Sequence, residues 1–271
     1  MSTSITYIVC WNEVFDNTVH IEKELLKSNH EYLVINKSSF RSDSPNWRTA
    51  NDTRYYGHFF DALKHFIDKT DKSIFIFNAG DSRWPDISGY TKRIESILEN
   101  DASVGVLSPD QTNDPFTGSG SYIKDSTNHP GLYLCTLTNG IFVALQRDVA
   151  QITYDYMTWA INNNVNFYTM TSGWGLDYAY SAVSYMLDKK VYKDSTAKMY
   201  HPDGSGYNYE IAAKESKIVM ESFIQYWAIH KTSSHRVRSL FSVFMKKVHE
   251  KEAYTVLLKE VYLNGRQPAF V

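Results

Sequence analysis

Apolar positions in the first half of the chain alternate between two periods. "ITYIVCW" (Ile5 to Trp11) is a near-continuous apolar run of strand length, and "NTVHIEKELLKS" then places apolar residues near helical spacing. "HEYLVINKSS" supplies another strand, and a polar loop containing "SDSPNW" leads to the amphipathic helix "YYGHFFDALKHFIDKT". The buried strand "SIFIFNAGD", the helix "GYTKRIESILEN" and the strand "SVGVLSPD" follow in turn. Strands separated by helices of this length predict an α/β domain with a parallel sheet and a Rossmann-like, nucleotide-binding layout.

The second half is less regular. Residues 111–130 are rich in Gly, Ser, Thr, Asn and Asp and read as a loop able to hold a hairpin. "GLYLCTLTNGIFVALQRDVA" reads as two strands around Thr138, Asn139 and Gly140, then a helix starting near Arg147 that continues through "YDYMTWAINN". "GWGLDYAYSAVSYMLDKK" predicts a further helix with Asp177 at its N-terminal end, where the helix dipole favours a carboxylate. "VYKDSTAKMYHP" reads as a late, short strand. From about Tyr209 to Leu263 the pattern is helical, with a break near "KTSSHR". The expected division is a domain over 1–213 and a helical extension over 214–271, packed on that same domain.

Composition adds limits. The 271 residues suffice for one large α/β domain. Two cysteines, Cys10 and Cys135, are too few for a disulfide scaffold or a Cys-based zinc site, which points to a reducing compartment. The N-terminus has no basic segment ahead of its short apolar run, so it reads as a first strand, and no stretch reaches the roughly 20 apolar residues of a membrane span. A cytoplasmic location is expected. The net charge of −2 names no partner, but its distribution does more: from Lys214 onward ten Lys or Arg face five Glu. A basic appendage on an acidic body suits a polyanion, whether nucleic acid or an anionic membrane surface, and equally describes a solvated helical face.

Chemistry-bearing residues collect at predicted strand and helix ends. Open α/β sheets bind ligands at the carboxyl edge of their strands. There, Asn78 and Asp81 in "FNAGDSRW" are placed to meet a ribose hydroxyl or a cation on phosphate oxygens. Asp177 stands behind Trp174 in "GWGLDYAY", and His201 opens the turn "MYHPDGSGYN". No G-x-G-x-x-G follows the first strand, which argues against a dinucleotide-dependent oxidoreductase; "GSGSY" (Gly118 to Tyr122) lies far downstream.

In order and spacing, "FNAGDSRW", "GWGLDYAY" and "MYHPDGSGYN" resemble the GT-A class of nucleotide-sugar glycosyltransferases, over roughly Thr6 to Tyr207. The resemblance implies a mixed sheet flanked by helices, a nucleotide-sugar donor with UDP favoured, and a divalent cation, Mn2+ or Mg2+. Asp81 and His201 would be the metal ligands, with Asn78 nearby. Asp177 would be the general base that deprotonates the acceptor hydroxyl, implying inversion, and Trp174 would line its pocket. Trp11 and Asn12, with Glu13, would grip the base and ribose. Arg54 would meet the diphosphate as a fixed positive charge, Tyr55 or Tyr56 would stack on uracil, and Asn139 would contact a sugar. Lys198 and Asp203 lie near His201 in sequence. "NAGD" departs from the family's usual pair of acidic residues, leaving one acid where two are expected.

Two acceptors fit. The lack of a membrane span and the basic C-terminal stretch resemble phage enzymes that attach glucose or arabinose to hydroxymethylcytosine in DNA, where the target base must leave the stack. The alternative is a surface polysaccharide or lipid-linked precursor, with "HRVRSLFSVFMKKVHEK" lying on a membrane face. From another class, a non-catalytic sugar or nucleotide binding module accounts for the aromatic share of 15% without requiring Asp81, Asp177 and His201 to converge.

Overall fold

The computed structural model describes residues 2–50, 54–112, 123–124, 129–135, 137–202 and 208–230. Strand β1 (Ser4–Cys10) runs through a 3-10 turn (Asn12–Val14) into helix α1 (Phe15–Lys27), followed by β2 (Tyr32–Asn36) and β3 (Trp47–Thr49). Helix α2 (Tyr55–Lys69), β4 (Ile74–Ala79), α3 (Ile87–Asn100) and β5 (Val104–Thr112) complete the alternating half. Then come β6 (Ile123–Lys124), β7 (Leu132–Cys135), β8 (Phe142–Gln146), α4 (Arg147–Asn162), α5 (Leu176–Met186), β9 (Lys190–Tyr200) and α6 (Tyr209–His230). The described strands form one sheet in the order β3-β2-β1-β4-β8-β5-β9-β7-β6.

Alternation of side chains explains the layers. In β4, Phe75 and Phe77 face one core while Ile74 and Ile76 face another; in β8, Val143 and Leu145 divide from Phe142 and Ala144 in the same way. The larger core lies under α2, α4, α5 and α6, and two smaller ones lie under α3 and α1. Phe59, Phe75 and Phe77 are fully buried, with Phe59 edge to face on both of the others, each stabilising the domain by roughly 1.5–3 kcal/mol through the area removed from water. Asp86 caps α3 by accepting the Gly89 N–H at 2.7 Å.

The sheet is mixed, as the resemblance implies, because β8 enters antiparallel between β4 and β5. Two other expectations need correction. The late strand is not short: β9 spans 11 residues and pairs with both β5 and β7. Its polar middle stays inside the sheet because Asp194, wholly buried, is met by the Arg93 guanidinium and by the Thr196 N–H and hydroxyl. Finally, Trp47–Thr49 forms an edge strand parallel to β2, within a stretch too short and polar to signal it. Residues 213 and 214 both fall inside α6, which packs on α4 and α5. The basic stretch after His230 and most of the 111–130 loop lie outside the described residues.

Buried His30 makes fold stability pH-dependent. Its Nε2 lies 2.9 Å from Thr6 Oγ1, and burial pushes its pKa down from 6.5 to about 4, against the opposing pull of Glu95 and Glu31. The unfolded chain therefore takes up a proton at pH values where the folded ring stays neutral, and stability falls as pH drops from 6.5 towards 4. Between pH 6.5 and 4.5 the wild type should lose roughly 2–3 kcal/mol more than His30→Gln in urea melts. Parallel losses would show that His30 is not the group responsible.

Candidate active site at the carboxyl edge of the sheet

β1, β4, β5 and β9 all end at one edge, and reversed β8 begins there, with Val9 opposite Ala79 and Asn78 opposite Phe142. The chain leaves β4 through Gly80, where a Cβ would sit 2.3 Å from the Val9 carbonyl oxygen, so only glycine lets the two backbones pass. Asn17 holds the turn from α1 by donating to the carbonyls of Gly80 and Ser82 at 2.7 and 2.8 Å. The segment then crosses to the end of β9, where Arg83 and Tyr200 exchange backbone hydrogen bonds of 2.8 and 2.9 Å. That bridge brings together residues 120 positions apart: His201 Nε2 lies 3.1 Å from Asp81 Oδ2.

Asp81 Oδ1 is buried and has no hydrogen-bond partner among the described residues. A buried carboxylate oxygen left unpaired is costly, which marks it as a place for a donor or a cation. The side chains of Asp81 and His201 keep 24% and 20% exposure, so a ligand can reach them. Asn78 differs. It is wholly buried, and its Oδ1 accepts from Ser82 Oγ at 2.6 Å and Trp84 Nε1 at 3.3 Å, which makes it a support beneath the turn. Lys198 pairs with Asp110, and Asp203 lies outside the described residues.

The second part of the edge is the turn 171–177. Gly173 and Gly175 have φ of +78° and +104°, which side chains with a Cβ rarely adopt, and they wind the chain into α5. Asp177 follows in the first turn, and its Oδ1 accepts N–H groups from Gly175 and Tyr178 at 3.0 and 3.1 Å. The Tyr55 hydroxyl donates to the Gly140 carbonyl while its ring packs against Gly173, Phe59 and Phe77. Tyr55 thus braces the Thr138–Gly140 segment against the Asp177 turn. Tyr56 is fully buried and donates to the Trp174 carbonyl, which excludes it from stacking on a base. Burial holds the Tyr56 and Tyr180 phenols well above the ordinary tyrosine range, and the Asp177 carboxylate adds to both shifts. Through Tyr55 the turn that leads to Asp177 is joined to the 138–140 segment, whose next residue, Ile141, accepts the Ala79 N–H at 2.8 Å, two residues before Asp81. Asn139 is partly exposed there and accepts the Ile141 N–H at 3.1 Å.

The ends of β1 and β2 supply the third part. Trp11 is partly exposed, with Lys37 Nζ 5.9 Å from its ring centre. The exposed Asn12 accepts from Ser39 N–H and Oγ at 2.7 and 3.2 Å, linking the two strand ends, and Glu13 is exposed beside it. Arg54 is exposed at the N-cap of α2, one residue ahead of Tyr55.

Sequence reasoning missed Glu215 of α6. It is 8% exposed and accepts from Thr171 N–H at 2.7 Å and Ser172 N–H at 2.8 Å, and from both hydroxyls. Within "AAKESKIV" it resembles any charged residue of a solvated helix, and only the packing of α6 on the turn reveals its role.

Asp81 and His201 fit a divalent cation in two respects. The Asp81 carboxylate is an oxygen donor of the kind that suits Mg2+ or Mn2+, and the His201 imidazole adds a nitrogen donor common at divalent metal sites. Two adjacent donors on an octahedral ion with bonds of about 2.1 Å lie about 3.0 Å apart, close to the 3.1 Å between Nε2 and Oδ2. No group of three or more His, Cys, Asp or Glu able to hold a metal occurs among the described residues. Remaining positions would fall to a ligand or water. Among those residues, too, no helix is long and apolar enough to cross a membrane.

No protein-family model matches the sequence, and no curated protein matches it. Solved structures do. GalNAc-T7 with UDP, GalNAc and Mn2+ is similar over 94% of this chain and 57% of its own, with a TM-score of 0.55 and 10% identity. A197 from STIV is similar over 74% of this chain and 86% of its own (TM-score 0.45, 14% identity). S. aureus TarS 1-349 is similar over 99% and 93% (TM-score 0.45, 12% identity). Likeness at such identity is likeness of fold, and the fold is GT-A: a mixed sheet flanked by helices.

Proposed function

We propose that this protein is a glycosyltransferase that moves a sugar from a nucleoside-diphosphate donor, UDP favoured, to an acceptor hydroxyl with inversion. The observation that carries this reading is the Asp81–His201 pair, joined across 120 residues at the carboxyl edge of the sheet, with a buried carboxylate oxygen that no described residue partners. Asp81 Oδ2 and His201 Nε2 would hold a divalent cation, Mn2+ or Mg2+. When bound, that cation neutralises charge on the diphosphate. The GalNAc-T7 structure, which contains UDP and Mn2+ on the same fold, supports the donor class.

The chain's own groups perform the rest. Trp11 and Asn12 bind the base and ribose at the ends of β1 and β2, and exposed Arg54 meets the diphosphate from the N-cap of α2. Asn139 contacts a sugar, with Tyr55 bracing it and Trp174 lining the acceptor side. Asp177 takes the acceptor hydroxyl proton as the oxygen bonds to the anomeric carbon, and the bond from that carbon to the diphosphate oxygen breaks with its electron pair leaving on UDP. Attack opposite the departing diphosphate inverts the centre. A content of only two cysteines, Cys10 and Cys135, both buried, supports a cytoplasmic location. The basic composition of residues 214–271 supports a polyanionic acceptor, and hydroxymethylcytosine in DNA is the one we favour over a surface polysaccharide or lipid-linked precursor.

The test incubates the protein with UDP-glucose, UDP-galactose, UDP-GlcNAc or UDP-arabinose, manganese and hydroxymethylated DNA, reading UDP release and sugar incorporation. Sugar on DNA in the inverted configuration is expected with one donor. UDP release without incorporation would keep the transferase and replace the acceptor. No release from any donor, with UDP still bound, would favour a non-catalytic binding module.

A further inference from the structure

Glu215 is among the buried charges that the mechanism leaves unused. Glu215 carries its carboxylate into the domain from the first half of α6, where an apolar side chain would suffice for packing alone. Its four hydrogen bonds converge on two consecutive residues of the Asp177 turn, at 2.6 to 3.1 Å. Ser172 passes the constraint on, since its Oγ also accepts the Trp174 N–H at 3.2 Å. Gly175, which donates to Asp177 Oδ1, lies against the same helix: a Cβ there would meet Ser216 Cα and Val219 Cβ at 3.1 Å each. A continuous path of contacts therefore runs from Glu215 through Ser172, Trp174 and Gly175 to Asp177.

We propose that Glu215 is a positioning residue, which clamps the Thr171–Ser172 backbone to α6 and thereby sets the place of the Asp177 carboxylate. The inference rests on the reading of Asp177 as general base. A turn made of Gly173 and Gly175 has little stiffness of its own, because glycine lacks the restrictions a Cβ imposes. Two adjacent backbone donors held by one carboxylate supply that stiffness, through charge-assisted bonds roughly twice as strong as neutral ones. Glu215 stands on Thr171 and Ser172, away from Asp81 and His201, so the clamp should govern the chemical step and leave donor binding alone.

Glu215→Gln tests this, because the carboxamide replaces one acceptor by a donor facing an N–H group. In the full-length protein kcat should fall about 10- to 100-fold, as a reacting group displaced by about 1 Å can cost 10²-fold, while the donor KM and the manganese–UDP affinity stay unchanged. Ile97→Val, in the α3 core on the opposite face of the sheet, serves as a control for lost stability and should keep its kcat. Should Glu215→Gln not fold, Ser172→Ala removes one bond to Glu215 together with the one from the Trp174 N–H, and should show the same split in smaller measure. A kcat equal to the wild type's, or a loss matched by Ile97→Val, overturns the proposal while leaving the transferase reading intact. Absence of turnover in the wild type overturns both.

Discussion

Asp177→Asn should lower the transfer rate about 10²–10⁴-fold, the range typical for loss of a general base. The substitution is isosteric, and the remaining carboxamide oxygen can still accept the Gly175 and Tyr178 N–H groups that the carboxylate now accepts at 3.0 and 3.1 Å. The first turn of α5 is therefore retained, and melting temperature and UDP affinity should match the wild type. An amide cannot take a proton from a hydroxyl at neutral pH, so the loss should appear in kcat alone. A UDP-release assay with a saturating donor reads this directly. An unchanged rate would reduce Asp177 to a charge that stabilises a helix N-terminus, a contribution of only about 0.3–1 kcal/mol.

Asp81→Asn and His201→Ala should each weaken manganese-dependent UDP binding about 10²-fold or more, since even the residues behind metal ligands typically contribute 10- to 100-fold. Combining them separates two accounts. If both side chains hold one cation, the double variant should bind UDP little worse than the weaker single one, because the shared site is already lost. If the 3.1 Å contact is only an ion pair joining the β4 turn to the end of β9, both variants should melt earlier yet bind UDP alike with and without manganese. Calorimetric titrations of the three variants decide between these results.

Most of the scaffold can be read from the chain because α1 to α3 and β1, β2 and β4 carry their periodicity openly. β9 was harder, since "KDST" is a polar run that is stable inside the sheet only once Arg93 of α3 reaches Asp194. The reversed place of β8 was also hidden, being a matter of which strands it lies between rather than of its own apolar pattern. At the site, Asp81, His201 and Asp177 stand out as polar residues at element ends. What separates Asn78 from its neighbour Asp81 is burial, which the sequence does not display: one is enclosed by Ser82 and Trp84, the other faces His201. Tyr55 and Tyr56 are adjacent letters with opposite surroundings for the same reason, one bracing a partly exposed edge and the other enclosed in the core.

The most direct test of the central claim is a calorimetric titration of UDP into the metal-stripped wild-type protein, repeated in the presence of manganese. Saturable binding to a single site only when manganese is present, lost in both Asp81→Asn and His201→Ala, is the result predicted. Equal binding with and without the metal, or none in either case, would contradict a cation-held nucleotide at the Asp81–His201 pair.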